Sequence, residues 1–218
     1  MAVLLALLLS LPALAQQVHP ATGREIAGVM GMGGAGWLMR AERELEEAPG
    51  KALDLIGIDR GSTVADIGAG AGYFTLRLAA RVGGTGKVFA SDIQPGMLDL
   101  LSRELERRRV ANVEAVLGSE DDPRLPPGRI DLALLVDVYH EFSQPQAMLR
   151  QIRRSLKPKA RLVLLEYRKE DPAVPIRFEH KMSVAEVKAE IEPEGFRLER
   201  VLDGLPRQHI LIFRPSVP

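Results

Sequence analysis

Asp66 and three glycines at alternate positions form the first set of residues that could bind a ligand. The stretch 64–75 reads V-A-D-I-G-A-G-A-G-Y-F-T, which places Gly68, Gly70 and Gly72 between an apolar run and helix-compatible sequence. Glycine reaches positive φ and lets a ligand approach the backbone, while a helix N-terminus offers unpaired N–H groups. A carboxylate two residues before the first glycine favours a ligand with positive charge.

The spacing of these glycines separates two classes of ligand. Dinucleotide-binding turns follow G-x-G-x-x-G, and here Tyr73 stands where the third glycine is required. The order acid-x-G-x-G-x-G resembles the first motif of the class I S-adenosylmethionine (SAM) dependent methyltransferases. The resemblance implies that Asp66, Gly68, Gly70 and Gly72 lie against SAM. Taken alone, the motif is also compatible with a glycine turn that binds nothing.

A second carboxylate follows the next predicted strand. Asp92 lies just past the run 87–91, near the start of a predicted helix that contains Pro95. A carboxylate at this position can accept hydrogen bonds from both hydroxyls of a ribose. Capping of the helix is the alternative role. Together with the glycine motif, the sequence favours ribose binding by Asp92.

Two further loops supply acidic residues at the places that the resemblance implies. Glu120 or Asp121, after the third predicted strand, stands where the family puts a polar side chain on the adenine amino group. The family usually has Gly-Asp-Ala here, so the choice between the two stays open, and a solvated loop is the alternative. Asp137, at the end of the fourth strand, completes the predicted cofactor-binding set.

The segment D-V-Y-H-E-F, residues 137–142, carries the candidate catalytic residues. A histidine of near-neutral pKa is the usual general base for a hydroxyl or amine nucleophile. We therefore predict His140 as the base, with Glu141 orienting it or binding substrate. His209 is the second candidate, because an antiparallel last strand begins at the face where its parallel neighbours end. The alternative is that both histidines only cap or begin a strand.

The same region also carries side chains that can bind a metal ion. His140, His180, His209 and Glu166 are expected on one side of the sheet, and such side chains can bind metals. No short ligand spacing joins them, so the sequence predicts no metal site. Tyr167, beside Glu166 at the end of the fifth strand, is a further polar candidate.

The elements that must position these residues alternate between strand and helix. The predicted strands are 64–67, 87–91, 113–117, 130–138, 161–167, 196–202 and 209–213. The predicted helices are 37–48, 51–58, 74–82, 94–109, 144–156 and 183–192, the last with a capping box from Ser183 and Glu186. This order predicts an α/β fold with a doubly wound, mostly parallel seven-stranded sheet and a terminal antiparallel hairpin. Ligands of such sheets bind outside the carboxyl ends of the parallel strands.

The amino-terminal sequence predicts export. Residues 1–15 form an apolar run too short to span a membrane and end in Ala13-x-Ala15, which is typical of a cleaved secretory signal peptide. This predicts a secreted or periplasmic protein without a stable membrane span after cleavage. No Lys or Arg precedes the apolar run, so an uncleaved anchor or a misassigned start, with a cytoplasmic protein, is the alternative.

Residues 16–50 are predicted to form a lid or helical extension before a SAM-binding domain at 51–214. The glycine-rich stretch 28–36 contains two methionines and precedes Trp37, which could provide an apolar cover for a cofactor. A mobile surface segment is the alternative.

Composition excludes several classes of function. Twenty-nine basic residues balance 29 acidic ones, and no basic groove is evident, so nucleic-acid binding has little support. The absence of cysteine excludes disulfides and thiolate chemistry. Arg40, Arg43 and Arg207 could bind an anionic substrate or simply face solvent. We predict methyl transfer from SAM to an oxygen or nitrogen of a small molecule. The alternatives are protein methylation, a SAM-binding module without catalysis, and a nicotinamide-dependent oxidoreductase.

Overall fold

The computed structural model describes residues 17–216 of the chain. The predicted signal peptide, residues 1–15, lies outside this range. None of the helices in this range combines the length and the apolar character that a membrane span requires.

In the part of the chain that the structure describes, eight strands form a single sheet. They are Thr63–Ile67 (β1), Lys87–Asp92 (β2), Val113–Leu117 (β3), Ile130–Val136 (β4), Leu156–Arg168 (β5), Lys181–Met182 (β6), Phe196–Leu202 (β7) and Gln208–Pro215 (β8). The strand order is β3-β2-β1-β4-β5-β8-β7, with the two-residue β6 paired to β5. Strands β1 to β5 are parallel, and β8 runs antiparallel to both β5 and β7. The predicted doubly wound sheet with a terminal hairpin is confirmed, and β6 is an addition to it.

Within the described residues, seven α-helices connect and cover the strands. They are Ala35–Leu38 (α1), Arg43–Glu46 (α2), Pro49–Ile56 (α3), Tyr73–Val82 (α4), Pro95–Arg108 (α5), Pro145–Ser155 (α6) and Val184–Ile191 (α7). The capping box predicted for α7 is present, with Ser183 and Glu186 bonded reciprocally.

The prediction of one helix over 37–48 was wrong. The segment instead contains two one-turn helices, α1 and α2. A helix in a protein is stabilised mainly by an apolar face packed on the core, and this segment has none. Leu45 is 86% exposed, and the buried side chains of 43–47 are the polar Arg43 and Glu47.

Both faces of the sheet are covered by helices, as a buried parallel sheet requires. Alternate residues of β4 face opposite sides: Leu132 and Leu134 pack with α3 and α4, whereas Ala133 and Leu135 pack with α6 and α7. A third cluster joins α5 to β2 through Leu98 and other leucines. The carboxyl ends of β1, β2 and β4 are thereby held at one edge of the sheet.

Candidate functional site

A cavity of about 640 Å³ lies at this edge of the sheet. Its floor is formed by the turns that follow β1, β2 and β4. Its opposite wall comes from residues of the N-terminal segment, 17–50, including Ala27 to Met30, Trp37 and Leu38. This size is within the usual range for small-ligand sites.

The glycine turn after β1 lines the cavity and depends on its glycines for two different reasons. Gly68 has φ +74°, and a Cβ there would lie 2.4 Å from Val138 Cγ2, which belongs to the turn after β4. Gly72 has φ +94°, and its Cβ would lie 2.4 Å from Leu101 Cδ1 of α5. Gly68 and Gly70 contact the cavity, whereas Gly72 allows close packing of α4 against α5.

Asp66 and Asp92 both line the cavity and are almost completely buried. Asp92 accepts hydrogen bonds from the backbone N–H groups of Gly70 (2.8 Å) and Gln94 (2.9 Å), so it joins the glycine turn to the start of α5. The Thr75 hydroxyl donates to Asp66 at 2.5 Å. Burial raises the pKa of Asp66 to about 6, and it also raises the pKa of Asp92.

The two adenine candidates have different surroundings. Glu120 lines the cavity and accepts a hydrogen bond from the Ser143 hydroxyl at 2.8 Å. The Asp121 side chain accepts from the Ser119 hydroxyl at 2.7 Å and does not line the cavity. Of the two residues that the sequence left open, Glu120 has the position that such a role requires.

Asp137 has an unusual environment for a carboxylate. It has φ +50°, which is uncommon for a residue other than glycine, and it lines the cavity. Its Oδ2 accepts from Gln208 Nε2 at 2.7 Å, while its Oδ1 is buried with no hydrogen-bond partner within residues 17–216. Burial and the neighbouring Glu47 and Glu166 carboxylates raise its pKa well above the usual value.

His140 lies in a 3₁₀ turn, Tyr139–Glu141, directly after β4. Its Nδ1 is 2.6 Å from Glu166 Oε2, and its Nε2 is 3.1 Å from Nδ1 of His180. Burial opposes the charged form of His140, but the Glu166 carboxylate outweighs this effect, so the pKa of the imidazole is raised. The carboxylate that orients His140 is thus Glu166 of β5, and the expectation that Glu141 orients it is not met.

Glu141 and His180 face the cavity next to His140. Burial raises the pKa of Glu141 to about 7. Burial and the neighbouring His140 lower the pKa of His180. His209 is paired in register with Glu166 across β5 and β8, but it is 1% exposed and does not line the cavity. Of the three histidines expected to converge, two meet in the cavity.

The three arginines considered as anion-binding groups are engaged by carboxylates. Arg43 donates to Glu47 at 2.7 Å and stacks on the Tyr73 ring, 4.3 Å from its centroid. Arg40 and Arg207 both bind Glu46, at 2.6 and 3.0 Å. The network therefore stabilises the N-terminal segment against the domain, which is a role that the sequence analysis did not assign.

The N-terminal segment is joined to the cavity by backbone and side-chain contacts. The Ala27 N–H donates to the His140 carbonyl at 3.0 Å, and Gln94 Nε2 donates to the Met30 carbonyl at 3.0 Å. Leu38 lies against Gly70. A Cβ added at Gly70 would be 3.3 Å from Cδ1 of Leu38. No sequence signal indicated these pairs, because the partners are far apart along the chain.

Comparison with known proteins agrees with this geometry. Residues 64–159 match a family described as "Methyltransferase domain". The crystal structure of a SAM dependent methyltransferase from Aquifex aeolicus is 28% identical, with a TM-score of 0.81 over 86% of this chain and 100% of that one. Residues 64–159 thus form a methyltransferase domain, and the fold of the described chain is that of a SAM-dependent methyltransferase.

Other relatives of this class differ in length or in chemistry. The ubiquinone/menaquinone biosynthesis C-methyltransferase UbiE of Salmonella arizonae is 33% identical over 118 residues, which are 54% of this chain and 47% of that protein. This chain thus matches about half the length of such curated relatives. The [4+2]-cyclase SpnF shares the fold, with a TM-score of 0.65 at 17% identity over 77% of this chain and 82% of that one. Fold alone does not fix the reaction.

The residues of the cavity fit SAM, the cofactor of this family. The glycine turn leaves backbone exposed to the cavity where a Cβ would fill the space or meet Val138. The unpartnered Oδ1 of Asp137 and the buried carboxylates of Asp66 and Asp92 suit a ligand that carries a sulfonium, an ammonium group and ribose hydroxyls.

Proposed function

We propose that this protein transfers a methyl group from SAM to a small-molecule acceptor. The observation that carries the proposal is that one cavity contains both the glycine turn with Asp92 and the His140–Glu141–His180 cluster. The first set suits the cofactor, and the second offers polar groups to an acceptor. A cofactor and an acceptor bound in the same cavity would be in reach of each other.

The charge of the cavity wall supports a cationic cofactor. Five of the lining side chains are carboxylates, those of Asp66, Asp92, Glu120, Asp137 and Glu141. Arg43 also lines the cavity, but its charge is already compensated by Glu47. Carboxylates in a partly buried cavity attract a positive ligand more strongly than they would in water.

The chain contributes binding, orientation and exclusion of water. When bound, SAM supplies a methyl group on a positively charged sulfur, which a nucleophile displaces in line. The glycine turn and Asp92 hold the cofactor end of the cavity, and the N-terminal segment covers it. At the acceptor end, the His140–Glu166 pair presents a basic nitrogen, Nε2.

The size of the cavity favours a small acceptor over a protein side chain. Its volume must contain SAM as well as the acceptor, and Trp37 and Leu38 are among the residues that line it. The sequence predicts an oxygen or nitrogen of a small molecule as the acceptor. The UbiE relatives are named as C-methyltransferases, so a carbon of a hydroxylated ring is the second candidate.

Calorimetric titration of the full chain with SAM, S-adenosylhomocysteine and NAD tests the cofactor assignment. We expect micromolar binding of the first two, no binding of NAD, and a loss of at least about tenfold in affinity for Asp92→Asn, because a ribose contact is weakened. This variant keeps the shape of the side chain and can still accept from Gly70, but its amide nitrogen cannot accept from Gln94 as Oδ1 does. Failure of the folded protein to bind either SAM compound would refute the proposal.

A screen with SAM labelled in its methyl group tests the reaction itself. Phenols, hydroxylated quinols, amines and an unfolded protein extract serve as acceptors, and label in the product is measured. Transfer to a small molecule supports the proposal. Transfer to protein alone, or tight SAM binding without transfer to any acceptor, favours the protein methyltransferase or the non-catalytic module instead.

A further inference from the structure

We infer that His140, His180 and Glu141 bind a divalent transition-metal ion at the acceptor end of the cavity. One ligand atom from each residue lies within 4.8 Å of the other two, and no other such group of three is present in residues 17–216. The residues come from two 3₁₀ turns, Tyr139–Glu141 and Phe178–His180, which the fold brings together after β4 and before β6.

The distance between the two histidines suits a shared cation. His140 Nε2 and His180 Nδ1 are 3.1 Å apart, and their rings meet nearly at right angles. A metal ion about 2.1 Å from each nitrogen would be bound with an N–metal–N angle of about 95°. The same distance would also accommodate a hydrogen bond between the two rings, so the pair by itself does not decide.

Glu141 distinguishes a metal site from a simple hydrogen bond between the two rings. Its carboxylate lies within 4.8 Å of the ligating nitrogens of His140 and His180 and lines the same cavity. A hydrogen bond between the histidines needs no carboxylate at this place, whereas a divalent ion would use all three groups as ligands.

Glu166 provides the outer support that metal-binding histidines usually have. Its Oε2 accepts from Nδ1 of His140 at 2.6 Å, which leaves the Nε2 lone pair directed at the site. Its Oε1 accepts from the Tyr139 N–H at 3.1 Å and so fixes the turn that carries His140 and Glu141. A carboxylate on the second nitrogen of a ligating histidine fixes the tautomer and makes the ring a better ligand.

Two imidazoles and one carboxylate select the class of metal and leave positions open for a substrate. Nitrogen ligands favour Zn²⁺, Fe²⁺, Co²⁺ or Mn²⁺ over Mg²⁺ and Ca²⁺, which prefer oxygen. If the proposed function holds, an oxygen of the acceptor would occupy an open position, where the metal lowers the pKa of a hydroxyl. The inference thus names a hydroxyl-bearing acceptor, and His140 acts through the cation.

Titration with Co²⁺, followed by its visible absorption and by calorimetry, tests the site on the full chain after treatment with a chelator. We expect binding at one equivalent with absorption bands of a nitrogen-ligated ion, and competition by Zn²⁺. Glu141→Gln and His180→Ala should each weaken binding at least about tenfold, since each removes one ligand. Glu179→Gln is the matched control: it removes a carboxylate next to His180 that is outside the group, and it should bind as the wild type does.

The inference is overturned if Co²⁺ and Zn²⁺ bind no more tightly than about 100 µM, or if Glu141→Gln and His180→Ala both bind as the wild type does. Circular dichroism confirms that each variant is folded. If His180→Ala does not fold, the isosteric Glu141→Gln still tests the site. S-adenosylhomocysteine binding is measured separately. Binding of S-adenosylhomocysteine without binding of metal refutes only the metal site. Binding of metal without binding of S-adenosylhomocysteine refutes only the proposed function.

Discussion

Arg24 and Glu190 are 166 residues apart in the chain and form a buried ion pair with two hydrogen bonds. Arg24 Nε and Nη2 donate to the two carboxylate oxygens at 2.9 and 3.0 Å, and Nη1 donates to the His140 carbonyl at 3.2 Å. The Thr22 hydroxyl adds a third hydrogen bond to Glu190 at 2.6 Å. Through these contacts the N-terminal segment is fixed both to α7 and to the turn that carries His140.

Glu190→Gln should destabilise the protein by about 3–5 kcal/mol, because it leaves a buried guanidinium without its counter-charge. The free energy of unfolding in urea measures the change. Replacement of both partners, Arg24→Met with Glu190→Leu, should recover a large part of the loss. Glu194→Gln is the matched control, since its partner Arg150 is largely exposed, and it should change stability by less than about 1 kcal/mol. Equal effects of the two single variants would contradict the prediction.

Gly68→Ala should abolish SAM binding and reduce stability. The added Cβ would lie 2.4 Å from Val138 at a φ of +74°, so the turn must shift away from the cavity. Gly57→Ala has a comparable φ of +70° with nothing within 4 Å of the new Cβ, and it lies outside the cavity. Gly57→Ala should lose only about 1–2 kcal/mol of stability, because a residue with a Cβ is disfavoured at positive φ. It should keep its affinity for S-adenosylhomocysteine. Urea unfolding measures the stability of both variants, and calorimetry measures their affinity for S-adenosylhomocysteine. Together they separate the effect of backbone strain from the effect of the new contact with Val138. Similar affinities in both variants would argue against the cavity as the cofactor site.

Asp66 should make the protein less stable as the pH rises from about 4 to about 6. Burial raises its pKa from 3.8 in the unfolded chain to about 6 in the folded one, so the folded state binds the proton more tightly. This stabilisation is complete below pH 4 and is lost as the pH passes the folded pKa.

The stability of Asp66→Asn relative to the wild type should therefore increase by about 2–3 kcal/mol between pH 4 and pH 8. The asparagine oxygen can still accept from Thr75, so the hydrogen bond seen in the wild type is retained. Denaturant unfolding of both proteins at several pH values measures this difference. A difference that is constant over the whole range would show that Asp66 is not the group responsible.

Glu166→Gln should lower kcat/KM for methyl transfer and the affinity for Co²⁺ by about 10–100-fold, because His140 loses the carboxylate that orients it. The affinity for S-adenosylhomocysteine should change little, since Glu166 does not line the cavity. Steady-state kinetics and the titrations described above give both readouts on one protein. Loss of S-adenosylhomocysteine binding with unchanged metal affinity would contradict the role given to Glu166.

The sequence alone was sufficient for the sheet and for placing Asp92 and the glycine turn at one edge of it. Apolar runs of four to nine residues separated by helical stretches predict parallel strands, and the ends of such strands meet at one edge. Asp92 and the glycine turn could therefore be assigned together from their positions after β1 and β2. These signals are local, since each depends only on residues within one strand and the turn after it.

The tertiary structure decided which distant residues meet at the acceptor end. The sequence predicts Glu141 as the partner of His140, and only the alignment of β4 with β5 brings Glu166 within 2.6 Å of the ring. The tertiary structure also separated the other two histidines. His180 lines the cavity, whereas His209, in β8 beside β5, does not. Whether such side chains touch depends on register and on the direction in which each one points, and neither is encoded in the spacing of residues along the chain.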